Sequence, residues 1–240
     1  MSNAIKIDVW SDIACPWCYI GKRNLENGLA QLARDGDIPA VEVTLHSYEL
    51  SPDTPVDFEG DEIDYLAGHK GMPREQVSEM LTRVTQVAHE AGLDYRFDRL
   101  QHTNTVIAHE LLHAAKAAGR QADMAERLMS AYFTEGRHVG RIDELVELAA
   151  EVGLDETEVR EALGSRRYLP DVHADEEQAR AYGITGVPFF VFDGTYGVSG
   201  AQPPEAFVQV IRQVVTERTT VASANDDHDG GDETPHTSSA

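Results

Sequence analysis

Hydrophobic and polar positions alternate near the start of the chain. Residues 5–10 carry apolar side chains at every second position, which is typical of a half-buried β-strand, and residues 41–45 repeat the alternation. Between them, leucines recur at near-helical spacing over residues 25–32, and Asp35-Gly36 ends that pattern. The beginning of the chain therefore predicts the order strand, helix, strand.

A helical period replaces this alternation over residues 62–167. Apolar residues there recur every three to four positions, and helix-ending and helix-capping residues divide the segment into separate helices. The predicted helices are one opened by Pro73 and closed by Gly92, one capped by Asn104 and ended by Gly119, and others over about 121–135, 143–152 and 155–164. This part of the chain is predicted to be entirely α-helical.

Strand-like sequence returns near the end of the chain. A helix over 170–182 is followed by the apolar run 187–192, and Asp193-Gly194 then signals a hairpin turn into a return strand. Pro203-Pro204 opens a last predicted helix. From residue 219 onward the chain is rich in Ser, Thr, Asp and Gly, so we predict a disordered acidic tail there.

The two strand-bearing ends need each other, because neither two strands nor one hairpin forms a stable sheet alone. We therefore predict an α/β fold with one four-stranded mixed sheet, helices on its faces and the helical block inserted into it. The predicted division is a discontinuous sheet-bearing domain over 1–61 and 168–218, an inserted helical domain over 62–167 and the tail over 219–240.

Charge and hydropathy exclude some classes of function. The net charge of −22 argues against nucleic-acid binding, which requires a basic surface. No segment approaches the roughly 18 unbroken apolar residues of a membrane helix, and the first residues lack the pattern of a secretory signal. We therefore expect a cytoplasmic protein without membrane contact. The 16 Arg against four Lys, beside 42 acidic residues, fit either a halophilic surface or a GC-rich genome.

The two cysteines form a Cys15-Pro16-Trp17-Cys18 motif between the end of the first strand and the start of a helix. Proline favours the first helical position, which places Cys15 at the N-cap. A thiolate there faces unpaired amides and the positive end of the helix dipole, an environment worth about 0.3–2 kcal/mol. We predict that Cys15 is the exposed nucleophile and that Cys18, one turn further in, resolves the mixed disulfide. Trp17 is predicted to be a partly exposed apolar lid that helps to dock the substrate.

Two other interpretations of the cysteine pair are weaker. Half of a zinc site would need two more ligands, and no histidine shows a second paired spacing tied to the motif among His46, His102, His109 and His113. Inert buried cysteines are the other alternative. We therefore predict redox chemistry on the dithiol, with no metal ion and no bound cofactor.

Four segments of the chain resemble the DsbA family of thioredoxin-fold oxidoreductases, in particular its cytosolic FrnE-like branch. They are Asp12-Ile-Ala-Cys-Pro-Trp-Cys-Tyr-Ile-Gly21, Asn104-Thr-Val-Ile-Ala-His-Glu-Leu-Leu112, Tyr182-Gly-Ile-Thr-Gly-Val-Pro-Phe-Phe-Val191 and Val198-Ser-Gly-Ala-Gln202. The resemblance implies a thioredoxin fold with a helical insertion and a cis peptide before Pro188. It also implies that this proline faces the cysteines and that the Val187 backbone pairs with a substrate.

The resemblance leaves the direction of electron flow open. The strongly oxidising members have a His between their cysteines, and Trp17 stands there in this chain, so we expect a less oxidising site that acts as oxidase, reductase or isomerase. The expected substrates are proteins or small molecules that carry thiols or disulfides, with glutathione as a candidate co-substrate.

Two alternative functions come from the same comparison of motifs. Kappa-class glutathione transferases and 2-hydroxychromene-2-carboxylate isomerases are similar in fold, but they use a Ser where Cys15 stands and bind glutathione. The segment from Asn104 to His109 is similar in both branches, which suggests substrate contacts by these two residues. For His109 we favour a helix histidine that is satisfied in the cleft between the domains over a catalytic one. The second alternative is a chaperone-like binding module that uses the groove between the sheet and the helical block.

Overall fold

A four-stranded mixed sheet joins the two ends of the chain in the computed structural model, which describes residues 4–36 and 40–226, with the backbone alone for 221–226. The strands lie in the order β2-β1-β3-β4; β1 pairs in parallel with β2 and antiparallel with β3, and β3 and β4 form a hairpin. Their bounds are β1 (Ile5–Ser11), β2 (Val41–Ser47), β3 (Phe189–Phe192) and β4 (Tyr196–Ser199). This confirms the predicted sheet.

The helices follow the predicted order closely. They are α1 (Pro16–Asp35), α2 (Glu62–Lys70), α3 (Arg74–Glu90), α4 (Val106–Ala117), α5 (Gln121–Ser130), α6 (Ile142–Glu151), α7 (Glu156–Gly164), α8 (Leu169–Ala181) and α9 (Pro204–Asp226). Helix α5 continues as a π-helical turn over Ala131–Glu135. No helix in the described part of the chain is long and apolar enough to cross a bilayer.

Helices pack on both faces of the sheet, because its strands carry apolar side chains on both sides. On one face Phe190 packs edge-on against Phe207 of α9, with ring centroids 4.8 Å apart, and α1 lies beside α9. On the other face Trp10 and Val191 form a smaller cluster with Ala179 of α8. The helices α2–α7 occur between β2 and β3 in the sequence, as predicted. The predicted domain boundaries themselves stay a prediction.

Helix α9 differs from the predicted end of the fold. It continues to Asp226, so the prediction of disorder is wrong for residues 219–226. This segment contains neither Gly nor Pro, and an established helix adds one hydrogen bond for each residue that joins it. The remainder of the predicted tail, 227–240, lies outside the described residues.

Candidate active site

The dithiol lies at the N-terminus of α1, as the proline in the motif predicts. Cys15 is the N-cap in an extended conformation, with φ −89° and ψ 112°, and Pro16 occupies the first helical position. The Cys18 amide donates to the Cys15 carbonyl at 3.0 Å, which closes the first turn. Both cysteines are free thiols. Cys15 therefore stands at the positive end of the helix, although its thiol makes no capping hydrogen bond.

Both thiols are buried, and this corrects one prediction. Cys15 is 3% exposed and Cys18 2%, whereas Cys15 was predicted to be exposed. The Cys15 Sγ lies 3.7 Å from the Val187 carbonyl oxygen, so a loop from the far end of the chain covers the sulfur. Trp17, 42% exposed, is the residue of the motif that faces solvent.

The loop over the cysteines contains the predicted cis peptide, between Val187 and Pro188. The Pro188 carbonyl accepts the Gly200 amide at 2.8 Å, which ties the loop to the end of the β-hairpin. A Cβ built on Gly21 would lie 3.0 Å from Pro188 Cγ. The glycine in the second turn of α1 therefore lets the proline pack closely against the dithiol helix.

Burial raises the pKa of the Cys18 thiol well above its usual value. The neighbouring Cys15 adds to this shift through a hydrogen bond and through its charge, and contacts with the Asp12 backbone and the Ser11 side chain oppose it. Cys18 is therefore held as a thiol, in keeping with a group that becomes a nucleophile only after the first step of a reaction.

Asp12 is a buried acid beside the dithiol that the predicted set of site residues does not contain. Its carboxylate accepts the Ala14 amide at 3.1 Å, the Leu50 amide at 2.7 Å and the Thr105 hydroxyl at 2.8 Å. Burial opposes its ionisation, but the His109 imidazole, whose Nε2 lies 3.4 Å away, and the two amides outweigh burial and lower the pKa of Asp12. The available signal was its place three residues before Cys15 in the motif.

A cavity of about 270 Å³ opens beside Cys15. Glu62 and His102 are joined by a hydrogen bond of 2.8 Å in its wall, and the Tyr65 ring stacks on the imidazole. Its mostly apolar lining comes from the dithiol loop, from α2 and α3 and from the segment before α4, and includes Cys15, Trp17, Leu66, Met80, Leu81 and His102. The Cys15 thiol is thus reached through a small, mainly apolar chamber.

Asn104 and His109 lie behind this cavity and do not line it. The Asn104 side chain accepts the Val106 amide at the start of α4 and donates to the Pro52 carbonyl, both at 2.9 Å. His109 has no exposed surface. Direct substrate contacts by these two residues stay a prediction: the Asn104 side chain is engaged at the start of α4 and the imidazole is enclosed.

The sequence matches the family described as DSBA-like thioredoxin domain over residues 6–212. The solved structure of a probable DsbA oxidoreductase from Streptomyces coelicolor is 38% identical, with a TM-score of 0.81, covering 98% of this chain and 93% of that one. Two solved structures share the fold at lower identity. The cytosolic disulfide reductase DsbM from Pseudomonas aeruginosa with GSH is 19% identical, with a TM-score of 0.62, over 88% of this chain and 99% of its own. A 2-hydroxychromene-2-carboxylate isomerase is 14% identical, with a TM-score of 0.60, over 92% of this chain and 98% of its own. The chain therefore belongs to the DsbA-like thioredoxin-domain family of thiol–disulfide oxidoreductases.

Proposed function

We propose that this protein exchanges disulfides through the Cys15–Cys18 dithiol and that it acts mainly as a reductase in the cytoplasm. The observation that carries the proposal is the position of Cys15, which caps α1, contacts the cis-proline loop and opens onto a cavity. A helix N-terminus stabilises a thiolate, and the thiolate is the nucleophile in disulfide exchange.

In the proposed reaction the Cys15 thiolate attacks one sulfur of a substrate disulfide. A bond forms between Cys15 and that sulfur, the substrate disulfide breaks, and the other substrate sulfur leaves as a thiolate that takes a proton. Cys18 then loses its proton and attacks Cys15, which releases the second substrate thiol. The substrate gains two electrons and two protons, and the enzyme is left with a Cys15–Cys18 disulfide.

The proposed direction of electron flow, from the dithiol to the substrate, follows from the lack of a cation between the two cysteines in the motif. Strong oxidants of this chemistry owe their potential to a stabilised reduced form. Trp17 supplies no charge between the cysteines, and the pKa of Cys18 is raised by burial. The dithiol is therefore a better electron donor than one held by a cation.

A low-molecular-weight thiol such as glutathione is the proposed electron donor that restores the dithiol. The cavity beside Cys15 supports this, because the buried sulfur is reached through a chamber suited to a small molecule. Two molecules of such a thiol would reduce the enzyme disulfide and leave as one small disulfide. The DsbM neighbour with GSH supports a site of this class on the same fold. No further cofactor is proposed.

The test compares the wild type with Cys15→Ser and Cys18→Ser in the glutathione-driven reduction of insulin and of a small disulfide. We expect Cys15→Ser to lose activity by at least about 100-fold and Cys18→Ser to accumulate a mixed disulfide visible by mass spectrometry. Full activity of Cys15→Ser would refute the proposal. A glutathione-dependent isomerisation that survives in Cys18→Ser would favour the isomerase or transferase alternative.

A further inference from the structure

His102 is a buried histidine in the wall of the cavity beside Cys15. It lies in the segment before α4 and is 7% exposed. Three contacts hold its ring: Nδ1 is joined to a Glu62 carboxylate oxygen at 2.8 Å, the Tyr65 ring stacks on the imidazole, and the Phe58 ring packs at a steep angle to it with centroids 5.7 Å apart. The orientation of the imidazole in the cavity wall is therefore fixed by its neighbours.

The second ring nitrogen of His102, Nε2, is left for a ligand. No hydrogen bond reaches Nε2 in the part of the chain that the structure describes, and this nitrogen is not one of the sealed, unbonded polar atoms found there. Because His102 lines the cavity, Nε2 is accessible from it. Buried polar groups are normally hydrogen-bonded, so this nitrogen calls for a partner that enters the cavity.

The other buried polar side chains of the same wall are used inside the protein. The Asp12 carboxylate accepts three donors, one of which is the Thr105 hydroxyl at 2.8 Å. The Thr103 hydroxyl donates to a backbone carbonyl at 2.7 Å. The rest of the lining is mainly apolar. His102 and its partner Glu62 therefore supply the hydrogen-bonding groups that the buried wall offers to a molecule in the cavity.

We propose that His102 is a specificity-determining residue for the small thiols and disulfides that react with Cys15, and that its Nε2 binds a neutral hydroxyl or amide group of the molecule in the cavity. The inference rests on the proposed function of the dithiol. A hydroxyl or an amide both donates and accepts, so it can bond Nε2 in either role of that nitrogen. A charged group would lose its hydration in this mainly apolar chamber, which opposes its binding. Glu62 is a positioning residue, because it acts through its bond to Nδ1.

The test compares bis(2-hydroxyethyl) disulfide with dipropyl disulfide, two molecules of the same shape that differ by a hydroxyl in place of a methyl group. Pre-reduced enzyme reduces each in a single turnover: the dithiol gives two electrons and two protons to the disulfide, which leaves as two thiols, and the Cys15–Cys18 disulfide forms. Acid quenching, alkylation and mass spectrometry give the two rate constants. Comparing their ratio between variants cancels the different intrinsic reactivities of the two disulfides.

His102→Phe keeps a ring that can stack on Tyr65 and removes both nitrogens. We expect the ratio of hydroxyethyl to propyl disulfide to fall by about tenfold, because a site that bonds a substrate hydroxyl discriminates against the analogue without it. The double variant Glu62→Leu/His102→Phe should show the same fall. It replaces both partners of a buried hydrogen bond by apolar groups, which costs little stability, and so covers the case in which His102→Phe does not fold.

The matched control is His69→Phe, the same change at an exposed histidine that lines the same cavity and stacks on the same tyrosine. We expect its ratio to stay within about twofold of the wild type, since His69 lies outside the buried wall. An unchanged ratio in the folded double variant would overturn the proposal and leave water as the partner of Nε2. A fall in His69→Phe equal to that in His102→Phe would also overturn it.

A second measurement needs no turnover. In Cys18→Ala, Cys15 can be held as a mixed disulfide with 2-mercaptoethanol or with propanethiol, and NMR compares the His102 Nε2 signal in the two adducts. We expect different signals, and identical ones would contradict the inference. A failure of the proposed function is distinguishable, because it appears as full insulin-reducing activity of Cys15→Ser, whereas a failure of this inference alone leaves both disulfides reduced with the same ratio in every variant.

Discussion

A half-buried histidine, His46, offers the sharpest test of the electrostatics of this fold. Its Nδ1 lies 2.7 Å from Asp175 of α8 and its Nε2 lies 2.8 Å from Asp8 of β1. The Trp10 ring stacks on the imidazole at 4.6 Å and donates its indole N–H to the Asp175 carbonyl oxygen at 3.0 Å. The perturbation is Asp175→Asn, which removes the charge that α8 presents to the sheet.

The pKa shifts of this pair give the sign of the effect. Burial opposes charge on His46, but hydrogen bonds with Asp175 and Asp8 outweigh it and raise the pKa of His46 above its ordinary value of 6.5. Burial also opposes ionisation of Asp175, yet hydrogen bonds from His113 and His46 and the Ser47 amide lower the pKa of Asp175 well below its ordinary 3.8. The stabilisation that comes from protonated His46 is fully present below pH 6.5 and is lost as pH rises through its raised pKa. The stabilisation that comes from ionised Asp175 is present above pH 3.8 and is lost as pH falls through its lowered pKa.

The magnitude follows from the bonds that Asp175 accepts. Its oxygens receive His46 Nδ1 at 2.7 Å and the Ser47 amide at 2.8 Å, and hydrogen bonds to charged groups contribute about 1.5–3 kcal/mol each. Asparagine keeps one acceptor oxygen, so we expect Asp175→Asn to lower the free energy of unfolding by about 3 kcal/mol at pH 6. For a chain of this length that corresponds to a fall in Tm of about 6–12 °C.

Urea unfolding at pH 6 and pH 9, at the same salt concentration and followed by tryptophan fluorescence and circular dichroism, measures the effect. The loss of unfolding free energy caused by Asp175→Asn should be smaller at pH 9. At that pH His46 is deprotonated in the wild type, so part of the stabilisation from its pairing with Asp175 is already absent. The control Glu177→Gln makes the same charge change on an exposed site of α8 and should stay within about 0.5 kcal/mol. A penalty for Asp175→Asn that is equal at both pH values, or larger at pH 9, would refute this explanation.

Three further predictions concern the dithiol helix and the surface. Tyr95→Phe removes a hydroxyl that donates to the Pro16 carbonyl at 2.6 Å, and we expect urea unfolding to show a loss of about 1 kcal/mol; no change would mean that the bond contributes nothing net. Gly21→Ala places a Cβ 3.0 Å from Pro188 Cγ and should lower the free energy of unfolding in urea by about 1–3 kcal/mol. The control Gly68→Ala adds a Cβ with nothing within 4 Å and should raise it by about 0.5–1 kcal/mol through the helix propensity of α2. If the acidic surface is a halophilic adaptation, Tm should rise from dilute buffer to molar KCl, and an equal Tm in both would reject that interpretation.

Much of the fold follows from local sequence. Strand β1 and helix α1 lie where alternation and the motif predict them, since side-chain periodicity and capping depend on residues a few positions apart. The Asp193-Gly194 turn also follows from local sequence, because this residue pair favours the positive φ that both residues adopt in the structure. Helix α9 is the exception: polar composition predicted disorder from residue 219, and helix propagation carries it to Asp226.

The candidate site was predictable in its chemistry and less so in its surroundings. The sequence places Cys15 at a helix end, and the family resemblance implies a cis-proline loop that faces it. In the structure Cys15 is the N-cap of α1, and the Val187 carbonyl of that loop lies 3.7 Å from its sulfur. The predicted substrate contact of Asn104 stays untested; its side-chain oxygen accepts the Val106 amide at the start of α4. Asp12 stands in the motif, but no sequence pattern connects it with its partners Thr105, before α4, and Leu50, after β2.

The dithiol itself, its place at the start of α1 and the order of strands and helices were determined by the sequence alone, because they rest on residue types and spacings within one or two turns. Only the tertiary structure decided that Cys15 is buried, that His109 faces Asp12 and that His46 is held by Asp175, 129 residues away. Burial and pKa shifts are properties of what packs around a group, and here the groups that pack together come from opposite ends of the chain and from the helices between them.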